Sequence, residues 1–400
     1  MPDSRLTPPR TARPGFARVL LRFAGCAAAA LVLAAAAHAA PPAPLSIPAF
    51  AFPLPGDYVA AANARSAGLA LSDRWLGTTA FENPAAAVPQ GIELSPLFQR
   101  VSRQDLSSEN RDFDQTTGFL DGAGGALSLP TGPWGLVVYA WQPVLRLEEQ
   151  GYSAGPLVAP AAVNQQDQQR EIRAGAAISR AFGTLRFGVS GEWVHRDDSY
   201  ETHEQSGDPS AGDRVLTFSG DGVGVTAGMT YQKEPDQPWG RWIGAAVRFG
   251  SELPVTGTLD QRLAVGDTTF DFDATRASEW SGGVSARVLV APATRVVAGI
   301  SARSGAKWDG FGFETTGGAS WSLGLDWKDD ELPWGARFGV GQEANPGALE
   351  KRAGLVAVGF TYVMGADLVF DLGLLHRNLT RGDFPHSSDD RVVGSVRVAF

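Results

Sequence analysis

The sequence predicts an all-β protein, a transmembrane antiparallel β-barrel of about 14 strands with a short N-terminal hatch segment in its lumen. Three observations predict this fold. Beyond Gly91, segments with two-residue periodicity follow one another to the C-terminus. The connections between them alternate between short turns and long polar stretches. The last segment is half apolar and ends the chain on Phe400.

The N-terminal segment, residues 1–39, is typical of a cleaved signal peptide. A basic stretch precedes an apolar run from Ala24 to Ala37, and Ala37 and Ala39 frame a small-x-small cleavage site. The apolar run is shorter than the roughly 18 residues that a spanning helix needs. Cleavage would remove Cys26, the only cysteine, and would change the formal charge from −9 to −13. This acidic balance argues against nucleic acid as a partner.

Residues 40–90 are rich in alanine and proline and lack strand alternation. This composition predicts an irregular hatch or plug segment with a turn at Asn83-Pro84-Ala85. A segment of this length would fill much of a barrel lumen, which disfavours an open hydrophilic pore.

Residues 91–400 contain the predicted barrel strands. In one of them, Trp321, Leu323 and Leu325 alternate with serine and glycine. Alternation of this kind also fits a soluble sandwich, because it does not say which face meets water. A transmembrane barrel must pair its first strand with its last, since hydrocarbon offers backbone amides no hydrogen bonds. We therefore expect the strand that opens at Gly91 to pair with the strand that ends at Phe400.

The connections favour the membrane alternative. Tight turns are predicted at 129–134, 180–184, 291–294 and 364–367, and long polar loops at 105–116, 150–168, 197–213, 251–268, 304–316 and 378–390. Short turns at one end and long loops at the other are typical of outer-membrane barrels. Pro-Trp-Gly occurs at predicted short turns that begin at Pro133, Pro238 and Pro333. Recurring tryptophan at one end of the strands indicates an interfacial girdle, and good turn chemistry is the alternative explanation.

The C-terminal strand resembles the closing strand of bacterial outer-membrane barrels. Its Val396, Val398 and terminal Phe400 match the pattern that the barrel assembly machinery reads. The segment from Gly68 to Asp73, followed by Phe81-Glu82-Asn83-Pro84-Ala85, resembles the hatch of the outer-membrane long-chain fatty-acid transporter (FadL-like) family. That resemblance implies a fourteen-stranded barrel in a Gram-negative-type outer membrane that takes up hydrophobic small molecules. The PorV-like branch, associated with protein secretion or surface attachment, shares the architecture and is the alternative.

The predicted third strand carries a proline within Trp141-Gln142-Pro143. Proline removes a donor from the strand ladder, so Pro143 predicts either a bulge or a local gap in the wall. Members of the resembled family use a kinked third strand as a lateral exit for apolar ligands. We therefore interpret this site as a lateral opening.

Enzymatic motifs are unconvincing in this sequence. His195, Asp197, Asp198 and His203 fall in a predicted outer loop and are best explained as solvated charges. Inward arginines, including Arg248 and Arg337, would either bind carboxylate ligands or pair with acids such as Glu192, Asp326 and Asp371. No enzyme activity, metal or cofactor is predicted. The expected partners are outer-membrane lipid, a hydrophobic ligand and the assembly machinery, with the protein as a monomer.

Overall fold

The protein was examined as a computed structural model. It describes residues 64–76, 79–86, 93–105, 113–115, 118–131, 133–153, 162–205, 212–233, 240–263, 266–310, 313–314, 316–344, 352–365, 367–380 and 387–400. The predicted signal peptide, including its cleavage residues Ala37 and Ala39, lies outside this set. The hatch contains helix α1 (Ala64–Gly68) and two 3₁₀ turns, Arg74–Leu76 and Pro84–Ala86.

The strands form one antiparallel sheet. They are β1 (Glu93–Asp105), β2 (Phe113–Gln115), β3 (Gly118–Thr131), β4 (Trp134–Ser153), β5 (Ala162–Phe182), β6 (Leu185–Gln205), β7 (Gly212–Lys233), β8 (Arg241–Gly250), β9 (Leu253–Leu263), β10 (Gly266–Arg276), β11 (Glu279–Ala291), β12 (Thr294–Arg303), β13 (Lys307–Asp309), β14 (Phe313–Glu314), β15 (Gly318–Lys328), β16 (Trp334–Ala344), β17 (Arg352–Met364), β18 (Leu368–Thr380) and β19 (Ser387–Ala399).

The pairings return to their starting strand. Following them from β1 leads through β3, β4, β5, β6, β7, β8, β11, β12, β15, β16, β17, β18 and β19, which is fourteen of the nineteen strands. β19 then pairs with β1, with Glu93 opposite Ala399 and Asp105 opposite Ser387. The expected pairing of the first strand with the last is therefore confirmed, and so is the predicted number of barrel strands. The other five strands are β2, β9, β10, β13 and β14.

The outer face of this ring is apolar. Large side chains such as Ile300 (63% exposed), Trp321 (51%) and Phe338 (46%) are uncovered on successive strands, while their sequence neighbours face inward. Exposed apolar side chains on so many neighbouring strands would be an aggregation hazard in water, and they fit a hydrocarbon surround. The alternation is therefore apolar outward, as the membrane interpretation predicts. Within the described residues, no helix is sufficiently long and apolar to cross a membrane.

Several predicted loops are strand instead. β4 and β5 extend through most of 150–168, β6 and β7 through most of 197–213, and the β9–β10 hairpin occupies 251–268. Segments β13 and β14 fall within 304–316. The loop prediction is wrong there because polar side chains above the membrane do not prevent the backbone ladder from continuing. These extensions have their own buried cluster, which includes Tyr200, Leu216, Phe218, Leu253 and Trp308.

A belt of glycines holds the hatch inside the ring. Nine consecutive ring strands, from β6 round to β18, each place a glycine against residues 64–86. These glycines are Gly188, Gly228, Gly244, Gly283, Gly299, Gly324, Gly339, Gly359 and Gly373. A side chain there would collide with the hatch, and at Gly359 an added Cβ would lie 2.9 Å from the Cα of Gly68. A segment that contacts nine neighbouring strands of a closed ring through their inward glycines lies within the lumen of that ring.

This packing predicts a position-specific effect of adding a side chain to β17. Gly359→Val should destabilise the seated hatch by about 1–3 kcal/mol, because the new atoms overlap the hatch backbone. Gly354→Val is the matched control, since an added Cβ at Gly354 meets nothing within 4 Å. The temperature midpoint of unfolding, measured as the loss of the compact, faster-migrating form on electrophoresis, should fall for Gly359→Val. It should stay unchanged for Gly354→Val. Equal midpoints for the two variants would contradict the placement of the hatch.

Candidate functional site

Asn83 of the predicted hatch motif fastens the hatch to the wall. Its side chain is fully buried, and its amide nitrogen donates to the carbonyl of Trp75 at 2.7 Å and to those of Met229 and Ala245 at 3.3 Å. Its amide oxygen accepts from the backbone N–H of Ala85 at 3.0 Å. One side chain thus joins two hatch turns to β7 and β8.

Pro84 and Ala85 complete the motif. Pro84 opens the second 3₁₀ turn, where a missing N–H has no consequence, and Ala85 is fully buried. Both lie against Gly188 of β6, so the chain at this point has almost no room for a larger side chain. The motif that suggested a hatch is therefore the part of the hatch that seats against β6, β7 and β8.

A buried charge network fastens the other end of the hatch. Arg65 contacts Asp326 of β15 and lies 3.2 Å from Asp73, while Arg337 of β16 lies 3.2 Å from Asp326 and 2.8 Å from Asp371. Burial alone would lower the pKa of Arg65, but the carboxylates of Asp326 and Asp73 outweigh it and raise the pKa. Arg65 therefore stays charged.

The inward arginines mostly pair internally. Arg337 pairs with Asp326 and Asp371, and Arg248 contacts Glu192, as one of the two sequence interpretations expected. Arg287 instead stacks over the ring of Trp242, with its guanidinium carbon 4.0 Å from the ring centroid. The pairs of Arg248 and Arg337 keep these guanidinium groups from being buried as uncompensated charges.

A cavity of about 160 Å³ lies between the hatch and the long-strand end of the ring. Leu71, Arg74 and Trp75 of the hatch line it, as do Trp141 of β4 and Leu253 of β9. Its lining also includes charged side chains of the ring, among them Glu171, Arg276 and Glu343. Its size is close to that of an apolar cavity of roughly 150 Å³ that accommodates benzene. The lumen thus has room for one small ring on the outer side of the hatch.

The wall is interrupted beside this cavity. Gly124 of β3 lies opposite Trp141 of β4, and the next described pair is Phe119 with Leu147, so the intervening residues of these two strands have no partners in the ladder. On the other side of β4 the register shifts between Trp141 and Val144. Pro143 lies in this stretch. Around Pro143 the register is irregular toward β5 and no pairs are described toward β3, and its role as a lateral opening stays a prediction. We call the interruption between β3 and β4 the β3–β4 seam.

An aromatic cluster stands between the cavity and the seam. The ring of Phe81 from the hatch stacks on Trp141, with ring centroids 5.4 Å apart and an interplanar angle of 29°. It meets Tyr139 edge-on at a centroid distance of 5.0 Å. All three rings are buried, as are the neighbouring Val137 and Ala177. Residues 141 and 142, expected at the lateral opening, thus lie next to a hatch side chain that fills the space.

The remaining predicted site residues are placed as follows. Val396, Val398 and Phe400 lie on the outward face of β19, with Phe400 79% exposed, and their reading by the assembly machinery stays a prediction. His195, Asp197, Asp198 and His203 lie in strand β6, so the prediction of a loop there is wrong. His195 and His203 each bond one aspartate at 3.0 Å. Within the described residues no group of metal-ligating side chains forms a site.

Sequence reasoning missed Phe81 as a wall contact, Arg65 as an anchor, and the glycine belt. The sequence does carry a signal for the glycine belt, because these glycines alternate with outward apolar residues at similar heights on successive strands. Phe81 and Arg65 left none, since their partners in the barrel wall are more than fifty residues away in the chain.

Comparison with known proteins gives matches in fold but none in sequence. No family model matches the chain, and no curated protein matches it in sequence. Solved structures do match. The toluene transporter TbuX of Ralstonia pickettii superposes with a TM-score of 0.60 at 14% identity, covering 86% of this chain and 99% of that one. The chain has the FadL-type barrel fold.

Two further structures agree with this fold. A FadL homologue of Pseudomonas aeruginosa gives a TM-score of 0.61 at 12% identity over 86% of this chain and 99% of that chain. The toluene transporter TodX of Pseudomonas putida gives 0.59 at 15% identity over 86% and 96%. The resemblance inferred from the hatch motif is confirmed at the level of the FadL-type fold.

The charge network predicts that loss of Asp326 loosens the hatch. In a Ser72→Cys background, Asp326→Asn should accelerate thiol labelling of the hatch, because Arg65 and Arg337 each lose a charged partner worth about 2 kcal/mol. Lys307→Ala is the control, since the Lys307–Asp309 pair is exposed and such pairs contribute little. Equal labelling rates in the Asp326→Asn and Lys307→Ala variants would show that the network does not hold the hatch.

Proposed function

We propose that this chain is an outer-membrane channel for the passive uptake of hydrophobic small molecules. In this proposal the chain is exported with a signal peptide that is cleaved after Ala39. The ligand enters from the long-strand end, reaches the cavity above the hatch, and leaves sideways into the bilayer through the β3–β4 seam. The seam beside the cavity is the observation that carries the proposal.

The energetics support a sideways route. The hatch contacts nine ring strands through the glycine belt and is also held by Asn83 and by the Arg65 network. Moving the hatch out of the lumen would therefore break many buried contacts at once. Leaving through the seam breaks few, because the intervening residues of β3 and β4 have no ladder partners there. An apolar ligand also gains from moving directly into hydrocarbon. Transfer down a gradient then needs no covalent chemistry.

The nature of the ligand is also part of the proposal. TbuX and TodX are described as toluene transporters, and a cavity of about 160 Å³ suits a compound of that size better than a long acyl chain. We therefore favour small hydrocarbons over long-chain fatty acids. A secretion or surface-attachment role without transport is the alternative, and it predicts no uptake of either class.

The proposal predicts that repairing the ladder slows uptake. Pro143→Val restores a backbone donor at the bulge, and uptake of a labelled aromatic hydrocarbon by cells making the variant should fall about tenfold for a barrier raised by roughly 1.4 kcal/mol. Pro254→Val in β9, away from the seam, is the matched control and should leave uptake unchanged. Heat-shifted mobility on electrophoresis checks that both variants fold. Unchanged uptake by a folded Pro143→Val variant would exclude the seam as the exit.

A further inference from the structure

Phe81 of the hatch lies in an aromatic pocket of the barrel wall. Its ring is held between a stacked indole and an edge-on phenol, with centroid distances of 5.4 Å to Trp141 and 5.0 Å to Tyr139. This is the arrangement in which aromatic rings attract one another beyond the burial of apolar area. We call the pocket formed by Tyr139, Trp141 and Val137 the aromatic box.

The box connects the cavity to the seam. Trp141 lines the cavity on one side, and it is the last residue of β4 that pairs with β3 before the seam begins. A molecule that moves from the cavity along this wall toward the seam therefore meets the side chain of Phe81. Passage requires Phe81 to leave the box. Its neighbour Asn83 stays bound to β7 and β8, so the ring can rotate out while the hatch remains seated.

The box also contains an unused donor. The indole N–H of Trp141 is buried, with the residue 7% exposed, and no hydrogen-bond acceptor among the described residues lies within reach of it. A buried donor without an acceptor is unfavourable, so a ligand that supplies an acceptor next to the ring gains free energy there. The guanidinium of Arg173 lies over the face of the same ring, 5.7 Å from its centroid, and is itself paired with Glu171.

We infer that the aromatic box is a transit site for monocyclic aromatic compounds that carry a hydrogen-bond acceptor, and that Phe81 is the gate that such a ring displaces. The inference rests on the proposed function and names the substrate class of that route. Phe81 is held by the same stacking that would hold the ligand. Exchange of one ring for another therefore costs little, whereas a saturated ring or an acyl chain displaces Phe81 without replacing its stacking.

Three probes of matched size separate these contributions: acetophenone, ethylbenzene and ethylcyclohexane. In cells that make the full chain, Phe81→Ala should raise the initial uptake of all three probes roughly fivefold, because no ligand then has to displace the Phe81 ring. Ethylbenzene should still enter faster than ethylcyclohexane, since only an aromatic probe stacks in the box. Phe81→Leu should raise uptake by less, and it serves if the alanine variant fails to fold. Phe338→Ala, an outward aromatic on β16, is the control and should leave uptake unchanged.

A second variant tests the donor. Trp141→Phe keeps a ring but removes the N–H, so the uptake of acetophenone relative to ethylbenzene should fall by about fivefold. Measurable uptake whose rate does not respond to Phe81→Ala, and whose ratio of acetophenone to ethylbenzene does not respond to Trp141→Phe, would overturn this inference and leave the proposed function standing. Uptake of all three probes no faster than in cells without the chain would overturn the proposed function, and the inference with it.

Discussion

Hydrogen bonding of the backbone in hydrocarbon is the constraint on which this structure depends. A strand in lipid has no water to satisfy its amides, so the sheet must close on itself, and here β19 pairs with β1. The alternation of side chains then follows, with apolar residues outward and small or paired polar residues inward. Against this background, the ladder between β3 and β4 is interrupted. The interruption falls beside the cavity that the hatch borders, and the proposed route of the ligand rests on this coincidence.

The hatch fits in the lumen because the ring strands carry glycine, which has no side chain, where they face it. Nine inward glycines make a channel for the hatch, and the hatch reaches the wall through Asn83 and Arg65. The hatch is therefore rigidly seated at both ends, and the segment between these anchors carries Phe81 to the seam. In the proposed route, a seated hatch with one movable side chain would act as a gate without a large conformational change.

Much of the fold could be predicted from the sequence, because strand alternation and ring closure are local or obligatory. Gly91 to Phe400 had to form a ring once the outward face was apolar, and the Asn83 motif marked the hatch. The lengths of β4 to β7 could not be predicted, since polar residues such as Asp197 are equally compatible with a loop and with a strand above the membrane. The aromatic box could not be predicted either. Phe81 and Trp141 are distant in sequence, and only the ring brings them together.

The most direct test of lateral exit is a reversible closure of the seam. Cysteines introduced at Ala123 of β3 and Gln142 of β4 adjoin the last paired residues, Gly124 and Trp141, so a disulfide between them would hold the two strands together where the seam begins. If ligand leaves through the seam, uptake of ethylbenzene should be lost in the oxidised protein and restored by a reducing agent. Equal uptake in the oxidised and reduced forms would contradict the account.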